Sequence, residues 1–404
     1  MGVRRLKRIF WALSALILLG VYLTACGTSG SQTTTNPTSG LTKRVLASNS
    51  FSGVINIIDA SQDVFSTFSF QLTNAQPQQM ALALDRSVTL VFSPAGNVMY
   101  VLNSSTEQQT GIVLPDHSDG FAALNNATGF ASVRNANRVV VLDLQNSIIA
   151  QTVSVQTPVQ VVLGHNGKKL LVFSDTLTDT ITVIDTATAS TNPAGAATAI
   201  QSALAFDHPI SGVVSSDDSK AYILSCGAEC GGAQANVTVV DMNTTSVVGS
   251  PIPVPGATVA LLDSSTLYVA GIDGQLVGQL SVVDTGTMTV SNPVQIGDGF
   301  HWKMGLDTHS HLFIGARTCT QLRCLTIYDT GAKTATVEID PDPSHNGNGF
   351  GDVGGIQAIS GRDRMYLAQG GEIRIFNTTT AQPLPLSQQL DAVGKIEDVL
   401  QIDP

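Results

Sequence analysis

A run of β-branched residues closed by an acid or amide recurs eight times along the chain, and it limits what the chain can fold into. Its clearest copy is ITVIDTATA, Ile181 to Ala189. The closing residues are Asp59, Asn103, Asp143, Asp185, Asp241, Asp284, Asp329 and Asn377, separated by 44, 40, 42, 56, 43, 45 and 48 positions. A period in the forties carried by short strands is the signature of a radial β array.

Around Asp185 the unit divides into four strands. VQVVLG (Val159 to Gly164) leads through a turn to KLLVFS (Lys169 to Ser174), then to ITVID, then to a less regular fourth segment. The inner strands are apolar at consecutive positions instead of alternating, so both faces of each small sheet must be covered. Blades packed around an axis meet that demand; a sandwich, which buries one face per sheet, does not. The closing Asp is expected to accept hydrogen bonds from backbone N–H groups one or two residues on. Asn103 and Asn377 can do the same without charge, which suits a turn and not a set of catalytic acids.

The ends of the array are complementary. The first unit, RVLASNSFSGVINIID, starts at its second strand, and KIEDVLQID (Lys395 to Asp403) is one strand to spare. Supplying the missing inner strand from the C-terminus would close the ring and remove a sheet edge. The expected fold is therefore an all-β propeller of four-stranded blades. Counting motifs gives eight blades; merging the irregular unit near Asn103 with a neighbour would leave seven.

LYVAGIDGQLVGQLSVVDTGT (Leu267 to Thr287) and KLLVFSDTLTDTITVIDTAT (Lys169 to Thr188) resemble the YVTN-type β-propeller repeats. The likeness covers residues 43–404, taken as one propeller domain. It implies fold strongly and function weakly, since related propellers serve as binding proteins, surface proteins and, less often, enzyme domains.

The segment before the array reads as an address. Arg4, Arg5, Lys7 and Arg8 precede an apolar run, Ile9 to Val21, too short at ~13 residues to span a bilayer as a helix, and LTAC follows at Leu23 to Cys26. LTAC resembles the lipobox of bacterial lipoproteins, which implies cleavage before Cys26 and a diacylglycerol on its sulfur. Residues 27–42, GTSGSQTTTNPTSGLT, carry no charge and read as a flexible tether with a mean reach of about 20–24 Å. The expected location is the bacterial cell envelope, exported and held to a membrane through the N-terminal lipid.

The formal charge is −11, and removing the four cations of residues 1–26 leaves −15. A body that acidic has no electrostatic reason to bind nucleic acid. Four cysteines follow Cys26, in two tight pairs, Cys226 with Cys230 and Cys319 with Cys324. An exported chain meets oxidising conditions, so two local disulfides are expected, each in the hairpin between second and third strands of a blade.

None of the seven histidines forms a motif. Propeller geometry places His117 and Asp119, His208, His301 with Trp302 and Lys303, and Asp352 in segments that gather at one mouth of the channel. His165, His309 and His311 fall toward the opposite face, and His345 in a glycine-rich loop. His117, Asp119, His208, His301, Trp302 and Asp352 are the candidate binding residues, with no catalytic residue, metal site or cofactor assigned. The leading reading is a non-enzymatic binding or protein-interaction module for an unknown protein or small molecule. The alternative is a lactonase-like hydrolase using His117, His208, His301 and Asp352; a purely structural envelope component is the third.

Overall fold

The computed structural model describes residues 39–339 and 351–404, all within the unit Thr38–Pro404. The signal segment, Cys26, most of the tether and His345 lie outside the described residues. Eight antiparallel sheets follow one another, and seven have their strands in chain order from the axis outward. Blade 4 is representative: Pro158–Leu163, Lys169–Ser174, Thr180–Asp185 and Ala197–Gln201. Blade 2, which contains Asn103, is a complete unit of its own (Met80–Leu82, Val88–Ser93, Val98–Asn103, Gln109–Val113), so the count is eight and not seven.

Blade 1 is the exception in chain order. Its inner strand is Ile396–Gln401, paired antiparallel with Arg44–Asn49 in the register Val45 to Gln401. The C-terminal strand thus fills the place that the first unit leaves empty. Side chains reinforce the closure. Arg44 pairs with Asp403 at 2.7 Å and with Glu107 of blade 2 at 2.8 Å, and Arg86 donates to the carbonyls of Gln401, Ile402 and Asp403.

Consecutive apolar residues are explained by where each one points. In blade 4, Leu170, Val172 and Ile184 face blade 3, while Leu171, Phe173, Ile181 and Val183 face blade 5. Period-two alternation therefore sends apolar side chains to both neighbours. The pattern repeats around the ring, giving eight apolar clusters, each straddling two adjacent blades, the last joining blade 8 to blade 1 through Tyr366, Ile375, Val45 and Val399. Each buried Leu, Ile or Phe in them contributes about 1.5–3 kcal/mol.

The closing acid or amide performs one local task in every blade. Its side-chain oxygen accepts from the backbone N–H two residues on, three residues on, or both: Ser61 for Asp59, Ser105 and Thr106 for Asn103, Asn146 for Asp143, Thr188 for Asp185, Asn243 and Thr244 for Asp241, Gly286 and Thr287 for Asp284, Gly331 and Ala332 for Asp329, and Thr379 for Asn377. The reach is one residue longer than the sequence reading allowed, because the loop is an Asx turn continued into a helical turn. At Asp185 that turn extends into a short helix, Thr186–Thr191, which the carboxylate caps. This insertion accounts for part of the long interval between Asp185 and Asp241.

Candidate binding site at the channel mouth

The inner strands begin at one end of the ring, and the hairpins joining second to third strands share that end. Five inner strands carry a β-bulge at their start. The register slips between Pro158 and Gln160, Pro209 and Ser211, His301 and Lys303, Val353 and Gly355, and Ile396 and Asp398. The extra residues are Val159, Ile210, Trp302, Gly354 and Glu397, and a bulge re-aims the side chain it carries.

Trp302 of blade 7 donates its indole N–H to the Val353 carbonyl of blade 8 at 2.7 Å. Arg317, the last residue of the second strand of blade 7, lays its guanidinium over the indole, 3.3 Å from the ring centroid. At the matching position of blade 8 stands Gly354, where a Cβ would meet the Glu397 carbonyl at 2.0 Å. Glycine there lets the inner strands of blades 8 and 1 approach. Beside them opens a cavity of about 220 Å³, lined by Gln78, Gln79, Arg317, Asp352, Lys395 and Glu397 among others.

Charges around this cavity are arranged unequally. Lys395 pairs with Glu397 at 2.9 Å, and Ser50 donates to the same Glu397 oxygen. Lys303, from the inner strand of blade 7, reaches Asp398 of blade 1 at 3.5 Å, and Met80 N–H of blade 2 donates to that carboxylate. Burial raises the Asp398 carboxyl above its ordinary value, opposed by Lys303 and the backbone donors. Asp352 accepts from Thr318 N–H at 2.7 Å. Arg317 has no hydrogen-bonding or ion-pair partner among the described residues. Burial lowers its pKa, and Glu397, Asp352 and Asp398 act on it only through space.

Of the residues singled out in the sequence, Asp352 lines the cavity, and Trp302 stands behind it, stacked on the lining residue Arg317. His301 is only 1% exposed, turned into the body beside Thr258, whose hydroxyl donates to its carbonyl at 2.7 Å. Burial pushes its imidazole down to about 4 against a hydrogen bond to the Gly297 backbone and the charge of Asp298. Among the described residues its Nδ1 is buried without a hydrogen-bond partner. His117 and Asp119 bond each other at 3.0 Å on the surface, with His117 edge-on to Phe92. His208 bonds Asp207 at 2.8 Å. None of these four lines the cavity. Away from the mouth, His165 faces Asp218 and His311 faces Asp307.

Both disulfides are formed, with Cα separations of 5.7 Å for Cys226–Cys230 and 5.4 Å for Cys319–Cys324, each in the hairpin between second and third strands. The sulfurs of Cys319 and Cys324 also lie close to Asp352, a grouping of the kind that holds metals. Bonded to each other, they are not the thiolates that such a site requires. Arg317, Lys395, Glu397 and the two glutamines escaped the sequence reading. The available signal was Arg317 itself, a cation at a strand end two residues before a cysteine pair, in a chain with only 20 Lys and Arg.

The chain is an eight-bladed β-propeller with a small polar cavity at one mouth of its channel. No protein-family model and no curated protein sequence matches it. Among solved structures it is similar to the dihydro-heme d1 dehydrogenase NirN in complex with DHE, with a TM-score of 0.66, 11% identity, and coverage of 90% of this chain and 76% of that one. It is also similar to apo AztD from Citrobacter koseri, at TM-score 0.60, 10% identity, 89% and 97% coverage. The computationally designed Ika8 protein gives TM-score 0.59, 12% identity, 80% and 90% coverage. At such identities the likeness is one of architecture.

Proposed function

We propose that this chain is an exported, lipid-anchored propeller of the YVTN-repeat type that binds a ligand or partner at the channel mouth and catalyses no reaction. The observation that carries the binding reading is Arg317, a guanidinium held against Trp302 at the edge of a cavity and, among the described residues, without a hydrogen-bond or ion-pair partner. A half-buried cation costs stability unless something repays its desolvation. Export is supported by two disulfides, which persist in oxidising compartments, and by the cationic, apolar and LTAC segments of the sequence. The hydrolase reading draws no support from side-chain placement, since His117 and His208 are engaged by Asp119 and Asp207, His301 is enclosed in the body, and none of the three lines the cavity that Asp352 lines.

The test of binding is capture of envelope components by the full-length chain and by its Trp302→Ala variant. Loss of a bound component in the variant is expected; retention of every interaction argues against the mouth. The anchor is tested by Cys26→Ser, which should release the chain from the membrane fraction and remove acyl labelling. A variant that stays lipid-labelled overturns the anchor.

A further inference from the structure

The charges at the mouth define a ligand class, an inference that rests on the mouth being a binding site. Lys303, Arg317 and Lys395 are matched in number by Asp352, Glu397 and Asp398, so the site as a whole is neutral when all six are ionised. The body around it carries a net negative charge. A simple anion would be drawn to Arg317 but repelled by Asp352 and Glu397, and a simple cation would be drawn to those carboxylates but repelled by Arg317. A ligand carrying both charges close together incurs neither penalty.

The carboxylates are half-used in the way such a ligand needs. Asp352 accepts from Thr318 N–H through Oδ1, and Glu397 accepts from Lys395 and Ser50 through Oε1. In each case the second oxygen has no hydrogen bond among the described residues. Arg317 offers a planar fork of donors whose face is fixed by Trp302, the geometry that takes a carboxylate in two parallel hydrogen bonds. At about 220 Å³ the cavity falls below the roughly 300–1,000 Å³ of sites for drug-sized ligands and holds about seven waters' worth of volume.

We infer that the mouth cavity binds a free α-amino acid, its carboxylate on Arg317 and its ammonium on the second carboxylate oxygens of Asp352 and Glu397. Gln78 and Gln79, at the rim, are placed to contact its side chain.

The test is calorimetry of the full-length purified chain with the twenty free L-amino acids. Each binder is then compared with its C-terminal amide, its N-acetyl derivative, acetate and inorganic phosphate. Binding of at least one free amino acid is expected, weakened by about 30-fold or more in both capped forms. Arg317→Gln should abolish binding and Arg317→Lys should weaken it, with folding checked by circular dichroism. The capped ligands test the unaltered protein, so the result does not hang on a variant's folding. If no amino acid binds at millimolar concentration, or if acetate or phosphate binds as well, the inference is overturned. Should Trp302-dependent capture of an envelope component persist in that case, the binding propeller stands and only the ligand class falls.

Discussion

Arg317 and Trp302 form a stacked pair at the channel mouth, with the guanidinium carbon 3.3 Å from the indole centroid and the indole N–H held by the Val353 carbonyl of the next blade. The pair ties blade 7 to blade 8 and fixes the orientation of a cation that has no hydrogen-bond or ion-pair partner among the described residues. Both roles follow from the bulge that makes Trp302 the unpaired residue of its strand.

Replacing Trp302 by Phe keeps an aromatic face and removes the hydrogen bond to Val353. The expected cost is about 1–2 kcal/mol, from the orphaned carbonyl and the weaker cation–π contact, measured by urea unfolding. A variant as stable as the wild type would show that the hydrogen bond contributes nothing.

Glu229 sits in the Cys226–Cys230 hairpin, with Oε2 accepting from Ile272 N–H of blade 6 and Oε1 buried without a partner among the described residues. Burial pushes its carboxyl up to about 7, opposed by that single hydrogen bond. The folded state therefore holds the proton more tightly than the unfolded chain. Its contribution to stability is full below the ordinary carboxylate range and is lost as pH rises through about 7. Unfolding across pH 4 to 8 should show this decline, and Glu229→Gln should flatten it.

Asp63 clasps the ring where blade 8 meets blade 1, accepting from Arg362, Arg364 and the Tyr366 hydroxyl. Burial alone would raise its carboxyl, but the Arg362 and Tyr366 hydrogen bonds together hold it below its ordinary value. Its stabilising contribution is present above the ordinary carboxylate pKa and lost as pH falls through the lowered one. Asp63→Asn is expected to cost about 1–3 kcal/mol at neutral pH, because it leaves two guanidinium groups without their anion. A change smaller than about 0.5 kcal/mol in denaturant unfolding would contradict the clasp.

The turn role of the repeat acids separates charge from hydrogen bonding. Asp59→Asn should be nearly neutral, because Asn103 and Asn377 already do the same task. Asp59→Ala should cost about 1 kcal/mol by losing the acceptor for Ser61 N–H. Equal effects of the two substitutions, read from unfolding midpoints, would mean that the carboxylate charge matters.

What was legible in the sequence is what local chemistry dictates. The acid or amide of each unit turns its own hairpin, so the repeat could be counted. Apolar runs such as LLVF at Leu170 to Phe173 could be read as facing two neighbours, and the missing first strand pointed to Lys395–Asp403. The Cys226–Cys230 and Cys319–Cys324 pairings needed only proximity in sequence. His301 and Arg317 were not legible, for one reason. Whether a residue at the end of an inner or second strand faces the mouth or the body depends on the bulge between His301 and Lys303 and on Glu397, eighty residues from Arg317, which the ring closure alone brings near.

The central claim is that function resides at the mouth around Arg317 and not in the repeat. The most direct measurement is a calorimetric comparison of ligand binding by the wild type, Arg317→Gln and Asp59→Asn. Binding lost in Arg317→Gln and unchanged in Asp59→Asn is the expected result; binding that survives Arg317→Gln intact contradicts the account.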